Sequence, residues 1–181
     1  MSRFELHPTP IAGCFEIDCE SSTDNRGRFV KTFHSGVFRE QGLREDWQEE
    51  YYSVSARNVI RGMHFQTPPM QHAKLVYCLS GSVLDVVLDL RKASPTYGRA
   101  VGFELSSRKA NLIYLAEGLA HGFVSLADDS IMQYKVTSVH SPANDRGILW
   151  NSFGFDWPVA QPVVSQRDQL HPSFASFATP F

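Results

Sequence analysis

Turn-forming residues punctuate most of this chain at intervals of roughly eight to twelve positions, and the runs between them are short, apolar and rich in β-branched side chains. Leu75-Val76-Tyr77-Cys78-Leu79 stops at Ser80-Gly81-Ser82, and Val83 to Leu90 stops at Ser94-Pro95-Thr96-Tyr97-Gly98. Gly102 to Leu105, Asn111 to Leu115 and Ser130 to Val136 continue the rhythm. Runs this short suit strands rather than helices, and many of them evenly spaced predict an all-β sandwich or jelly-roll barrel. One short helix is expected through Val37-Phe38-Arg39-Glu40-Gln41, capped by Ser35 and closed by Gly42. No repeat, low-complexity tract or linker divides the 181 residues, so 1–181 reads as a single domain. That length lets a domain bury about two thirds of its unfolded surface.

A formal charge of −2 gives no reason to expect a nucleic-acid partner. Cys14, Cys19 and Cys78 form no CxxC pair and leave an odd thiol in any pairing, which suits a reducing cytoplasm. Met1-Ser2-Arg3-Phe4-Glu5 lacks the apolar run of a signal peptide, and no stretch approaches the ~20 apolar residues of a membrane span. The expectation is a cytoplasmic protein without a membrane partner.

Val59-Ile60-Arg61-Gly62-Met63-His64-Phe65-Gln66, followed by Lys74, carries the strongest chemical signal. It sets an imidazole able to exchange a proton near neutral pH between two fixed cations that can hold an anion or a developing oxyanion. A metal centre is the competing reading, because metal-binding barrels of the cupin type carry His-x-His with a downstream Glu and then Pro-x-Gly-x-x-His. Here the first element is His64-Phe65-Gln66, and the second is Glu117-Gly118-Leu119-Ala120-His121 with Ala116 in the Pro position. Lys74 stands where a carboxylate ligand would be, and its charge opposes a bound cation. No metal and no other cofactor is therefore expected.

Acid–base chemistry remains. A histidine base needs a partner that orients its second nitrogen, and Asp168 in Ser165-Gln166-Arg167-Asp168 is a candidate. His121 reads either as an anion-binding imidazole or as a buried histidine bonded to backbone. Asp24-Asn25-Arg26-Gly27-Arg28-Phe29 reads as a turn entering a strand. Asp85 and Asp89 fall on one face of a strand and are expected to be solvated or arginine-paired. The stretch from Ser165 is expected to pack as an irregular arm.

Together these segments resemble the dTDP-4-dehydrorhamnose 3,5-epimerases, sugar-nucleotide enzymes of the metal-free cupin class. The resemblance runs from about residue 10 to about residue 172, through the Asp24–Phe29 turn, Val59 to Gln66, Lys74-Leu75-Val76, Gly118 to Phe123, Tyr134-Lys135-Val136-Thr137, Gly147-Ile148-Leu149-Trp150 and Ser165 to Asp168. It implies a jelly-roll barrel, a homodimer whose N-terminal strands reach into the partner's sheet, and inversion of C3, C5 or both next to the C4 ketone of a nucleotide-diphospho-4-keto-6-deoxy sugar. By the same resemblance His64 is the base, Asp168 its partner, and Lys74 the group that quiets the enolate. Arg26, Arg61 and His121 would hold diphosphate and sugar, with Gln66, Asp145 and Arg167 at further substrate-contact positions.

The chain departs from the family in places. The family's tyrosine acid, in a Thr-x-x-Tyr-x-Pro context, corresponds to His140 in Thr137-Ser138-Val139-His140-Ser141-Pro142. His140 then acts as the acid, limits the enzyme to one carbon or diverts it from epimerisation, or has no catalytic role. Where the family reads the nucleotide, this chain has Glu49-Glu50-Tyr51 and Lys31, so Glu49, Tyr51 and Lys31 would meet the base. A carboxylate only accepts hydrogen bonds and suits a cytosine amino group. A CDP sugar therefore stands beside the dTDP sugar that the family implies. The second reading of the chain is a non-catalytic sugar-nucleotide binding protein on the same scaffold.

Overall fold

A computed structural model describes residues 4–181, so Met1 to Arg3 of the N-terminal stretch read above lie outside the described residues. In chain order the strands are β1 Glu5–Pro8, β2 Cys14–Asp18, β3 Ser21–Asp24, β4 Gly27–Val30, β5 Glu49–Ser55, β6 Val59–Gln66 and β7 Lys74–Ser80. They continue as β8 Ser82–Asp89, β9 Ala100–Ser106, β10 Asn111–Leu115, β11 Leu119–Ser125, β12 Ser130–Val136, β13 Asp145–Gly147 and β14 Val163–Val164. Two short helices, α1 Ser35–Glu40 and α2 Gln166–Gln169, complete the set with a 3-10 turn at Phe174–Ser176. The five strand runs read from the sequence between Leu75 and Val136 all appear, with no end shifted by more than two residues.

One sheet has the order β1-β2-β10-β7-β12-β5 and the other β13-β6-β11-β8-β9, the jelly-roll arrangement expected of an all-β chain with few helices. Between them, alternate residues interdigitate: Val76 and Cys78 of β7, Val83 and Val87 of β8, Ile113 and Leu115 of β10, and Met132 and Tyr134 of β12. The residues of opposite parity are buried as well. Leu75, Tyr77 and Leu112 pack outward against Phe38 of α1, Trp47 and the N-terminal Phe4. Met63, Phe65, Val86 and Leu88 pack outward against Phe153, Phe155, Trp157, Phe177 and Phe181. Covering both faces of both sheets explains why the central strands read as continuous apolar runs rather than as alternation.

Three local expectations need correction. The N-cap of α1 is His34, whose Nδ1 accepts from Val37 N at 3.4 Å, not Ser35, which is already helical. Asp85 and Asp89 are not solvated: both are fully buried, because β8 is a central strand and their parity points between the sheets. Asp89 is arginine-paired, with Arg91 at 2.8 Å and the hydroxyls of Ser94 and Thr96 completing its shell. Asp85 instead takes Nε2 of His121 at 2.6 Å. The C-terminal stretch is also more ordered than an arm, since β14 adds in parallel to β6 and α2 follows it directly.

Candidate active site

β6 breaks the period-2 rule at the point where it matters. On the neighbouring β11, His121 pairs with His64 and Phe123 with Arg61, so two steps on one strand oppose three on the other. This bulge lies at Gly62 and Met63. It allows Arg61 and His64, three apart, to face the same interior, which an unbroken strand would forbid. Gly62 sits at φ +141, and a Cβ there would lie 2.5 Å from the Gly122 Cα, so only glycine fits. On its other edge β6 pairs with β14 at Val59 and Ile60 and with β13 from His64 to Gln66. The Gly62 N–H in the gap between them donates to Asp168 Oδ2 at 3.2 Å.

Asp168 reaches that gap because β14 delivers the chain beside β6 and Ser165 caps α2, its hydroxyl accepting from Asp168 N at 3.1 Å. The second carboxylate oxygen of Asp168 lies 2.7 Å from His64 Nε2. Burial pushes the Asp168 carboxyl upward, but contacts with His171 and His64 and the Gly62 N–H outweigh it and hold the group well below the usual carboxylate range. Burial also lowers the His64 pKa, opposed by Asp168 and assisted by Lys74. Burial and Lys74 both favour the neutral imidazole, the form able to accept a proton.

Lys74 enters from the opposite sheet. The parity that sends Val76 and Cys78 of β7 into the core sends Lys74 there too, and its Nζ donates to the His64 carbonyl at 3.2 Å. Burial lowers its pKa from 10.5 to about 8. Most of the amine is still an ammonium at neutral pH.

His64 and Lys74 line a cavity of about 290 Å³ together with Glu49, Tyr51, Gln66, His72, Ser138, His140, Asp145 and Arg167, with Asp168 buried behind His64. An adjoining chamber of about 210 Å³ shares Tyr51, His64 and Lys74 and adds Ser53, Arg61, His121, Phe123 and Tyr134. In the chamber Arg61 is braced by Ser55 Oγ at 3.0 Å, and His121 by Asp85. In the cavity Arg167 pairs with Asp145 at 2.6 Å. Most residues singled out from the sequence thus converge on one space.

Several behave differently from the expectation. Arg26 sits at the tip of the β3–β4 hairpin, paired with Asp24 at 2.6 Å, and Lys31 lies 3.9 Å from Glu20; neither lines the cavity. Gln66 lines it but spends its amide on the scaffold, donating to Met70 O and accepting from Ser141 N. Glu49 Oε2 accepts from the His140 backbone N–H at 2.7 Å, so that oxygen is already occupied. His140 lies at the rim, with its side chain 55% exposed and Nδ1 4.0 Å from Asp145.

Sequence reasoning overlooked Tyr134 as a functional residue. It is buried in the chamber on β12, stacked on Tyr51 with ring centroids 4.8 Å apart, and its hydroxyl lies 3.2 Å from Ser53 Oγ. Burial raises the pKa of its phenol. Its parity with Met132 and Val136 was the available signal. It also overlooked His171, whose Nε2 lies 3.5 Å from Asp168 Oδ1. His64, Asp168 and His171 are a group of donor atoms, all within 4.8 Å of one another, that has the composition to hold a metal ion. The hydrogen bond inside it already engages two of the three.

Residues 8–176 match the family described as dTDP-4-dehydrorhamnose 3,5-epimerase. The chain belongs to this family. The dTDP-4-dehydrorhamnose 3,5-epimerase of Methanothermobacter thermautotrophicus is 39% identical over 174 residues, covering 93% of this chain and 94% of that protein. A Legionella pneumophila epimerase structure in complex with dTDP-4-keto-L-rhamnose superposes with a TM-score of 0.93 at 29% identity, covering 97% of this chain and 95% of the other. The 3'-monoepimerase of Streptomyces bikiniensis, solved as a double variant in complex with dTDP, has a TM-score of 0.89 at 31% identity, covering 93% and 87%. That variant replaces a histidine by asparagine and a tyrosine by phenylalanine. Like its relatives, this epimerase-family chain is an isomerase on the cupin-type jelly roll. Among the described residues no helix is long and apolar enough to cross a membrane.

Proposed function

We propose that this isomerase epimerises a dTDP-4-keto-6-deoxy sugar next to its C4 ketone, with His64 as base, Asp168 as its orienting partner and Lys74 at the enolate oxygen. The single observation that carries the reading is the 2.7 Å contact of His64 Nε2 with Asp168, facing a cavity into which a buried amine projects. His64 removes the hydrogen from carbon, and the electron pair moves onto the ketone oxygen. An ammonium held in a water-poor site stabilises that oxygen far better than solvent does. Asp168 fixes the imidazole and stabilises the imidazolium that forms.

Inversion requires a proton on the face opposite the base. His64 is on one sheet and Tyr134 on the other, and a sugar ring lying between them offers one face to each. The substituted histidine and tyrosine of the Streptomyces bikiniensis variant are 70 positions apart, as are His64 and Tyr134 here. We therefore give the donor role to Tyr134 rather than to His140, which sits at the exposed rim. Arg61, His121 and Arg167 supply the cationic and imidazole contacts for the substrate, while Tyr51, Glu49 and Asp145 shape the walls. A thymidine diphosphate carrier is supported by the dTDP bound in the relatives and by the engagement of Glu49 with backbone.

A second copy of the chain completes the reading. The β3–β4 hairpin is a separate two-stranded sheet that exposes every residue from Ser21 to Phe29, with Phe29 63% exposed. Tyr52 and Val54 expose apolar area on the edge strand β5, and Leu79 does so on β7 of the same sheet. A homodimer covers such surfaces and brings the hairpin's Arg26 toward a partner's cavity.

The test is incubation with dTDP-4-keto-6-deoxyglucose in deuterated water. Uptake of deuterium at C3 or C5, lost in His64→Asn, is expected, and the number of deuterons counts the carbons inverted. Binding without any uptake overturns the epimerase and leaves the binding protein.

A further inference from the structure

His171 has no place in the reaction just described, yet its position is specified by the backbone. Its ring rests directly on Gly147 of β13: a Cβ at that glycine would lie 2.3 Å from His171 Nε2 and 2.4 Å from Cδ2. A side chain at 147 would displace the ring from this seat. Seated there, the side chain is 12% exposed and edge-on to His64, with centroids 5.8 Å apart and planes at 77°. Its Nε2 points to Asp168 Oδ1, the same oxygen that His64 Nε2 contacts at 2.7 Å, but stops at 3.5 Å. That is too long for a full hydrogen bond, and the nitrogen is buried with no partner. A buried polar atom left in this state calls for an explanation.

We infer that His171 is a positioning residue that shares the Asp168 carboxylate with His64 and sets how strongly His64 holds its proton. This rests on His64 being the base. The argument concerns one oxygen with two imidazoles. With its proton on Nε2, a neutral His171 draws on the negative charge of Oδ1 and leaves less of it to stabilise a His64 imidazolium. A protonated His171 acts in the same direction through repulsion. Either way, His171 weakens the grip of His64 on a proton. The charged groups that act on His64 are Asp168 and Arg167 on α2 and Lys74 on β7, and His171 itself meets Asp168 and the His64 ring. β13 offers the bare Gly147 backbone, and its Asp145 is tied to Arg167.

The test reads His64 directly, by nuclear magnetic resonance titration of its imidazole in the ligand-free protein. His171→Phe keeps the packing and removes the nitrogen; the titration of His64 is expected to move up by about half a pH unit, roughly threefold in proton affinity. His171→Gln restores an N–H toward Asp168 and should return it to the wild-type position. Gly147→Ala pushes the intact ring off its seat and should shift the titration in the same direction as Phe; it replaces that variant if Phe prevents folding. In turnover, the acid limb of kcat/KM should follow the titration while KM stays constant. An unmoved His64 titration in both His171→Phe and Gly147→Ala, or equal shifts with Phe and Gln, overturns the inference. Because the titration needs no substrate, a failure to incorporate deuterium refutes the epimerase reading without touching this one.

Discussion

Lys74→Met should make this protein more stable and nearly inactive. The lysine is buried at the cavity wall, and its ordinary pKa of 10.5 falls to about 8 because burial penalises the ammonium more than Asp145 and Asp85 support it. At about 1.4 kcal/mol for each tenfold change in proton affinity, the ionised amine costs the folded state roughly 3 kcal/mol at pH 7. Methionine keeps most of the side-chain volume without the charge. It forfeits the bond from Nζ to the His64 carbonyl, worth about 1 kcal/mol, so a net gain of about 2 kcal/mol is expected. For a chain of this size that is a rise in Tm of about 4–8 °C. The pH dependence gives the sharper test. Between pH 8 and 10.5 the unfolded chain still holds the lysine proton that the folded chain has released, so wild-type stability gains on the variant across that window. Urea denaturation of both proteins at pH 7, 8, 9 and 10 measures the gap, which should be full at pH 7 and shrink as the amine deprotonates. Turnover should fall by about 10²–10³ with the loss of the oxyanion partner. A variant less stable than wild type at pH 7, or a gap independent of pH, refutes the argument that this amine is held charged against its environment.

Two further outcomes follow from contacts described above. His121→Leu leaves the fully buried Asp85 carboxylate without its imidazole and should destabilise the protein by about 3 kcal/mol or more; adding Asp85→Asn should recover a large part, as a chemical denaturation double-mutant cycle would show. His64→Asn should cost about 10²–10⁴ in turnover, and His140→Phe much less, because only the first removes the base we propose; equal losses in steady-state assays would show that the roles are misassigned.

The strands of the two sheets were legible because their punctuation is local: Gly81, the Ser94–Gly98 turn and the Asp24–Gly27 turn act on their own backbone. The dyad was legible as a candidate from residue types and as a pair only through resemblance, since no local signal relates His64 to a residue 104 positions away. What escaped was set by tertiary pairing. The bulge that turns Arg61 and His64 to one side depends on how β11 lies against β6. The burial of Asp85 depends on β8 being central rather than peripheral. Tyr134 was hidden differently: its position in a strand of ordinary core residues gave it no chemical distinction until Lys74 appeared on the neighbouring strand and His64 across the chamber. His171 depends on an empty space above Gly147, which a linear string does not display.

Asp168 arrives on one of the last elements of the chain, clipped to β6 by only the two-residue β14 and held farther on by Thr179 against Leu90 and by Phe181 against Lys92. The barrel can therefore close before the base acquires its aspartate. The geometry proposed for catalysis thus depends on a closing clip laid across the outside of β6 as much as on the double layer of strands beneath it.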